Sequence, residues 1–225
     1  MPSAAERRER LVEVYREASV CTRCRLAETR TNVVFGTGNS DADLMFVGEG
    51  PGAEEDRQGK PFVGRAGGLL TQLLSEIGIG RDEVFITNTV RCRPPENRDP
   101  RPDEIEACST YLNSSVALIQ PTVIATLGNF ATKLLTGNPT GITKVRGTPQ
   151  VHELGGRTVF LLPLLHPAAA LRTPSLLDVL REDFATLPGL LKQDPRPVAS
   201  PPPDEGSGRE GASTELPADQ LGLFG

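Results

Sequence analysis

Apolar positions along the chain fall into two rhythms. Short continuous runs, Leu44-Met45-Phe46-Val47, Val84-Phe85-Ile86-Thr87, 123–127 and 157–162, are bounded by Gly, Pro, Asn or Asp. Such runs predict strands buried inside a sheet, beginning at 43–47. Between them the spacing turns helical. Leu69, Leu70, Leu73, Leu74 and Ile77 share one face of a helix over 68–77, and Gly78 is placed to stop it. Residues 4–18 put Leu11, Val12 and Tyr15 on one side and charges on the other. Pro102 suits the first turn of a helix to about Ile119, and Pro121 separates it from the next strand. Gly128-Asn129 opens a short helix to Leu135, and 175–191 predicts a last one. Residues 31–39 read as irregular, and 142–154 with 157–162 as a hairpin or two extended segments, turning at Gly155-Gly156.

Strands alternating with helices predict an α/β fold, a mainly parallel sheet covered on both faces. From Gln193 on, Pro, Gly, Ser and acidic residues dominate. The expected organisation is therefore one domain over 1–192 and a disordered tail over 193–225.

Charge adds one correction to the picture. The formal net charge is −5 over 225 residues, but the tail holds two Arg against six Asp or Glu, a net of −4. The body is nearly neutral, so net charge neither supports nor excludes a nucleic-acid partner. The opening MPSAAERRER lacks the apolar segment of a signal peptide, and 159–165 is too short to span a bilayer. These features predict a soluble, cytoplasmic protein. Four cysteines in such a chain suggest a metal or redox site before disulfides.

Candidate chemistry concentrates after the strands. The first confident strand breaks at Gly48-Glu49-Gly50-Pro51-Gly52, where the backbone can turn sharply and approach a ligand. In open α/β sheets, ligands bind past the carboxyl ends of strands. Three strand ends deliver Glu49, Asn88 and His166 to one rim, and the loop beyond the first carries Glu54, Glu55, Asp56 and Phe62. That set suits a flat ring with polar edges. Phe62 supplies a stacking wall, Asn88 edge hydrogen bonds, and His166 a cation or donor. Several kinds of nucleotide-binding protein share such a pocket. Cys21-Thr22-Arg23-Cys24 with Cys92 and Cys108 leaves two metal readings open. The second pair is wide for a zinc knuckle, whereas a cluster held by four thiolates tolerates it.

The segments GEGPG, GKPFVGRAG, VFITNTVRCRPPENR, ITKVRGTP and LLPLLHPAAALR, taken with the four cysteines, resemble the family 4 uracil-DNA glycosylases from about Cys21 to about Leu187. The resemblance implies a three-layer α/β/α domain on a four-stranded parallel sheet. It implies a structural [4Fe-4S] cluster on Cys21, Cys24, Cys92 and Cys108. It implies a monomeric, monofunctional repair enzyme that flips uracil from DNA and hydrolyses its N-glycosidic bond. Glu49 and Gly50 then line the pocket, Phe62 stacks on uracil, Asn88 reads its edge and His166 contacts O2. Glu55 and Asn97 match positions that affect activity, so the expected catalytic set is His166, Glu49, Glu55 and Asn97. Another branch of the superfamily has a water-positioning Asp in the first motif. Here Gly50 stands instead, which shifts that duty to Glu55, Asn97 or backbone. Glu49 is the expected wall against the thymine methyl. A branch that traps uracil-DNA covalently carries a His before its Thr-Pro, whereas 144–149 has none, so turnover is expected. Leu171 is the expected wedge into the vacated stack, with Arg65, Lys144, Arg146 and Arg172 on phosphates. The ending Gln220-Leu221-Gly222-Leu223-Phe224 resembles the peptide by which bacterial repair proteins dock on the sliding clamp. Two other readings stand beside these: a catalytically weak uracil-DNA binding module, and a zinc-stabilised nucleotide-binding protein.

Overall fold

The structure, a computed structural model, describes residues 2–195. The first helix, α1 (Ala4–Ser19), starts on a capping box. Glu6 N–H donates to Ser3 Oγ, and Ser3 N–H donates to the Glu6 carboxylate. A single 3-10 turn at Arg25–Glu28 leads to β1 (Thr37–Gly38) and β2 (Leu44–Gly48). Then come α2 (Ala53–Gln58), α3 (Arg65–Glu76), β3 (Phe85–Asn88), α4 (Pro102–Ile119) and β4 (Val123–Leu127). The chain continues through α5 (Asn129–Thr136), α6 (Ile142–Val145), β5 (Gln150–Leu154), β6 (Arg157–Leu164), α7 (Pro167–Arg172), α8 (Leu176–Phe184) and α9 (Leu187–Leu190).

The strands form one sheet in the order β1-β3-β2-β4-β6-β5. The inner four, β3, β2, β4 and β6, run parallel. The edges do not: β1 is antiparallel to β3, and β5 to β6. The sheet is thus mixed and six-stranded, not the four-stranded parallel sheet expected. Only β5 comes from a local chain reversal, whereas β1 joins β3 across a long stretch of chain. Gly155 and Gly156 have positive φ and turn β5 into β6. At the other edge Gly38 lies so close to β3 that a Cβ there would fall 1.8 Å from the Val84 carbonyl oxygen.

Within β2 the side chains alternate between two cores, as the strand period of two requires. Leu44 and Phe46 pack with Leu70, Leu73, Phe184 and Leu187, on the side of α3, α7, α8 and α9. Met45 and Val47 pack with Leu11, Tyr111, Leu112 and Ile119, on the side of α1 and α4. The result is a three-layer arrangement.

Other departures have local causes. The charged loop expected after Gly52 contains α2, whose residues form helix readily but show no apolar stripe. Its anchor is polar: the buried Asp56 carboxylate accepts from Thr31 N–H at 2.9 Å. Residues 142–145 are helical rather than extended, and the last expected helix is broken between α8 and α9. Among the described residues no helix is long and apolar enough to cross a membrane. Residues 196–225, with the expected clamp-binding Gln220, Leu221, Leu223 and Phe224, lie outside the described residues.

Candidate active site

The parallel strands bring their carboxyl ends to one rim. Gly48 of β2 is in register with Asn88 of β3, and Leu127 of β4 with Leu164 of β6. His166 follows β6 and caps α7. A cavity of about 320 Å³ opens at this rim, lined by Gly50, Gly52, Glu55, Phe62, Ala66, Asn88, Asn97, His166 and Ala168. It lies at the small end of the range for small-molecule pockets.

Phe62 forms one wall. It is buried and has φ +52, a left-handed conformation that a bulky residue adopts only when its surroundings enforce it. Arg81 Nη2 donates to the Phe62 and Pro61 carbonyls at 3.0 and 3.1 Å. A Cβ on Gly67 would fall 1.7 Å from the Phe62 oxygen. On the other side, a Cβ on Gly48 would fall 2.5 Å from Asn88 Oδ1 and 2.8 Å from Phe62 Cζ. The two glycines therefore set the depth of the aromatic wall. The His166 ring lies 5.6 Å from the Phe62 ring at 28°.

Asn88 is only 2 % exposed, yet its carboxamide has no hydrogen-bond partner among the described residues. Its backbone carbonyl accepts from Arg91 Nη1. His166 Nδ1 accepts from Ala168 N–H at 3.1 Å, so the ring proton sits on Nε2. Burial, reinforced by the positive charge of Arg172, brings the His166 pKa down to about 4. The imidazole is a neutral donor near pH 7, not the cation that the sequence left open.

Glu55 Oε1 accepts from Val63 and Gly64 N–H at 3.0 and 3.1 Å, closing the start of α3. Its Oε2 has no protein partner among the described residues. Asn97 Oδ1 accepts from Arg93 Nε at 2.8 Å, which leaves Nδ2 for the cavity. Glu96 and Asn97 both have positive φ, at 57° and 55°.

Glu49 is not in this cavity. It lines a neighbouring groove of about 750 Å³, with Asp99, Asn129, Lys133, His166 and Arg172. It follows the last residue of β2, where the chain bends away from the strand before Gly50 enters the cavity. The residue expected as the thymine wall thus lines the groove beside the cavity. Burial, then the charge and hydrogen bond of Asp99, raise its pKa to about 7.

The expected phosphate contacts divide. Arg65, Lys144 and Arg172 are exposed. Arg146 is already paired with buried Asp183 and lies 3.9 Å from Glu182. Leu171 is half-buried against the core.

The four cysteines, from the end of α1, the segment after β3 and the body of α4, line one cavity with Arg30, Arg91 and Tyr111. All four are free thiols. Arg30 Nη1 donates to Cys92 Sγ at 3.4 Å, and Arg91 N–H to Cys108 Sγ at 3.3 Å. Arg91 is 1 % exposed, and its Nε and Nη2 are buried without a partner. A donor set of four thiols beside unpartnered buried guanidinium N–H groups fits an anionic thiolate-bound group. Among the described residues no three His, Cys, Asp or Glu side chains are arranged to hold a metal ion.

Sequence reasoning found the Gly48 turn but missed Gly67, Arg81, Arg91 and Asp99. Only Gly67, in an Ala-Gly-Gly step opening a helix, carried a local signal.

Residues 35–187 match the family model of the uracil DNA glycosylase superfamily. The chain is 49 % identical over 179 residues to a type-4 uracil-DNA glycosylase of Sulfurisphaera tokodaii, covering 77 % of this chain and 81 % of that protein. It is 47 % identical over 184 residues to one from Saccharolobus solfataricus, covering 80 % and 85 %. It is 47 % identical over 191 residues to one from Thermotoga maritima, covering 83 % and 98 %.

Proposed function

The chain belongs to the uracil DNA glycosylase superfamily, and from that premise we propose that its rim cavity receives a flipped uracil and releases it from DNA by hydrolysis of the N-glycosidic bond. The observation that carries this reading is the Asn88 carboxamide: almost fully buried, without a protein partner, and lining a cavity walled by an aromatic ring. The carboxamide opens only onto the cavity, where a pyrimidine edge can take up its donor and acceptor. Asn88 accepts from uracil N3–H and donates to O4. Cytosine presents the reverse pattern and leaves buried groups unpaired.

The reaction needs negative charge to be absorbed as uracil departs. His166 Nε2–H, neutral and fixed by Ala168, donates to O2. The positive end of Arg172 lies near enough to shape the field there. One such preset donor lowers the barrier by about 3 kcal/mol, roughly two orders of magnitude in rate. The free Oε2 of Glu55 and Nδ2 of Asn97 hold the attacking water, and Glu49 acts from the groove beside His166. Gly50 permits close approach to the base. Extrusion costs a few kcal/mol, least at a mispair. Leu171 replaces the extruded base, and Arg65, Lys144 and Arg172 take phosphates.

Cys21, Cys24, Cys92 and Cys108 hold a [4Fe-4S] cluster whose chemistry is structural, joining three segments of one layer. The domain over 1–192 acts as a cytoplasmic monomer, and Gln220, Leu221, Leu223 and Phe224 tether it to the sliding clamp.

The test is a uracil-containing oligonucleotide treated with substoichiometric protein and then alkali. Abasic sites should exceed protein several-fold, and Asn88→Ala should cut the single-turnover rate at least about a hundredfold. Abasic sites that stop at one per protein or below would leave only a uracil-DNA binding module.

A further inference from the structure

Arg91 lines the thiol cavity and bonds to the backbone of Asn88, a residue of the base cavity. Its guanidinium is among the most buried groups of the chain, at 1 % exposure. No carboxylate among the described residues pairs with it, and its nearest ring is Phe35, with Cζ 5.4 Å from the centroid. Nη1 donates to the Asn88 carbonyl, whereas Nε and Nη2 have no partner. The same side chain lines the cavity of the four cysteines, and its backbone N–H reaches Cys108 Sγ. An unpaired buried cation is heavily disfavoured, and breaking such pairs is among the most destabilising changes in proteins.

We infer that Arg91 is a positioning residue that couples the cysteine-held group to uracil reading. Its charge balances the anion held by Cys21, Cys24, Cys92 and Cys108, and its Nη1 arm fixes the Asn88 carbonyl so that the carboxamide stays aimed at the pyrimidine. The inference rests on the four-cysteine cluster proposed above. The guanidinium is suited to the task because it is planar and carries five donors in a fixed fork, so one side chain serves the thiol cavity and the Asn88 backbone. A lysine ammonium keeps the charge at a single point and cannot reach in both directions at once.

The experiment compares the full-length, cluster-loaded chain with Arg91→Met and Arg91→Lys, after far-ultraviolet circular dichroism has verified folding. Three quantities are read: the lifetime of visible absorbance in excess chelator, the reduction potential of the chromophore, and inhibition by free uracil. Arg91→Met should shorten the lifetime and weaken uracil inhibition, each roughly tenfold, and move the potential negative, because a cation no longer stabilises the more reduced form. Arg91→Lys should restore lifetime and potential but leave uracil inhibition about tenfold weaker. An Arg91→Met protein with unchanged lifetime and potential overturns the charge-balancing role. Full rescue of all three by lysine overturns the tie to Asn88. A colourless wild-type protein overturns the cluster reading, and the inference with it, and is told apart because no variant then has a chromophore to lose.

Discussion

At the scale of single residues, the rim holds two pKa values shifted in opposite directions. His166 is held near 4, so its imidazole is neutral across the working range. The single-turnover rate should therefore show no step near 6.5 from this residue. The folded pKa of His166 is depressed, so its contribution to stability is present above the unfolded value near 6.5 and is lost as pH falls toward 4. Glu49 is raised to about 7 by burial and by Asp99. Its contribution is present below about 4.5 and is lost as pH rises through 7. Glu49→Gln should consequently gain Tm relative to wild type between pH 5 and pH 8, and any inflection of the rate near 7 should vanish. An inflection that survives in Glu49→Gln would assign it to another group. The two carboxylates, one imidazole and one cation of the rim were visible in the chain, but which of them share a cavity was not. Glu49 and Gly50 are adjacent in sequence and open into different spaces.

At the scale of elements, α3 and the β2 terminus set the aromatic wall through glycine. Gly67→Ala places a methyl where the Phe62 carbonyl lies, and the backbone there cannot yield without releasing the left-handed Phe62. We expect a loss of uracil excision above tenfold, with a fall in Tm of several degrees. Gly48→Ala should harm excision more than stability, since its methyl meets the tips of Asn88 and Phe62. Thermal melts and single-turnover assays on both variants check this ordering. A second pair separates DNA contact from packing. Arg146→Met should cost ~2 kcal/mol, less than for a fully buried pair because the guanidinium reaches solvent, while the salt dependence of DNA binding stays unchanged. Lys144→Ala and Arg172→Ala should each lower the slope of log affinity against log salt by about one, with little change in stability. Secondary structure was legible wherever the apolar rhythm was strong: α4 and β4 coincide with the expected spans. α2 was not, because its anchor is one buried carboxylate rather than an apolar face. The antiparallel edges were only half legible, through the Gly155-Gly156 turn.

At the scale of the whole molecule, the cysteine cavity joins the N-terminal helix layer to the rim. Cys21 and Cys24 follow α1, Cys92 follows the strand that ends in Asn88, and Cys108 sits in α4. Stripping the cluster proposed above should lower Tm, and should raise proteolysis within 2–35 before it raises proteolysis of α3 or β4. Limited digestion followed by mass mapping checks the order. The division at 192 carries its own expectation. A chain ending there should excise uracil from naked oligonucleotides at the full rate, since every residue of the rim lies before it.

By itself the sequence determined the family, the α/β layering and the list of reactive side chains. These depend on local period, on glycine and proline, and on spacing between motifs, all of which are written along the chain. Only the tertiary structure decided that His166 is neutral, that Glu49 faces the groove, that Arg146 is already paired and that Arg91 lines the thiol cavity while holding the Asn88 backbone. The physical reason is the same in each case. Burial and charge are set by groups distant in sequence, such as Arg172 beside His166, Asp99 beside Glu49 and Asp183 against Arg146.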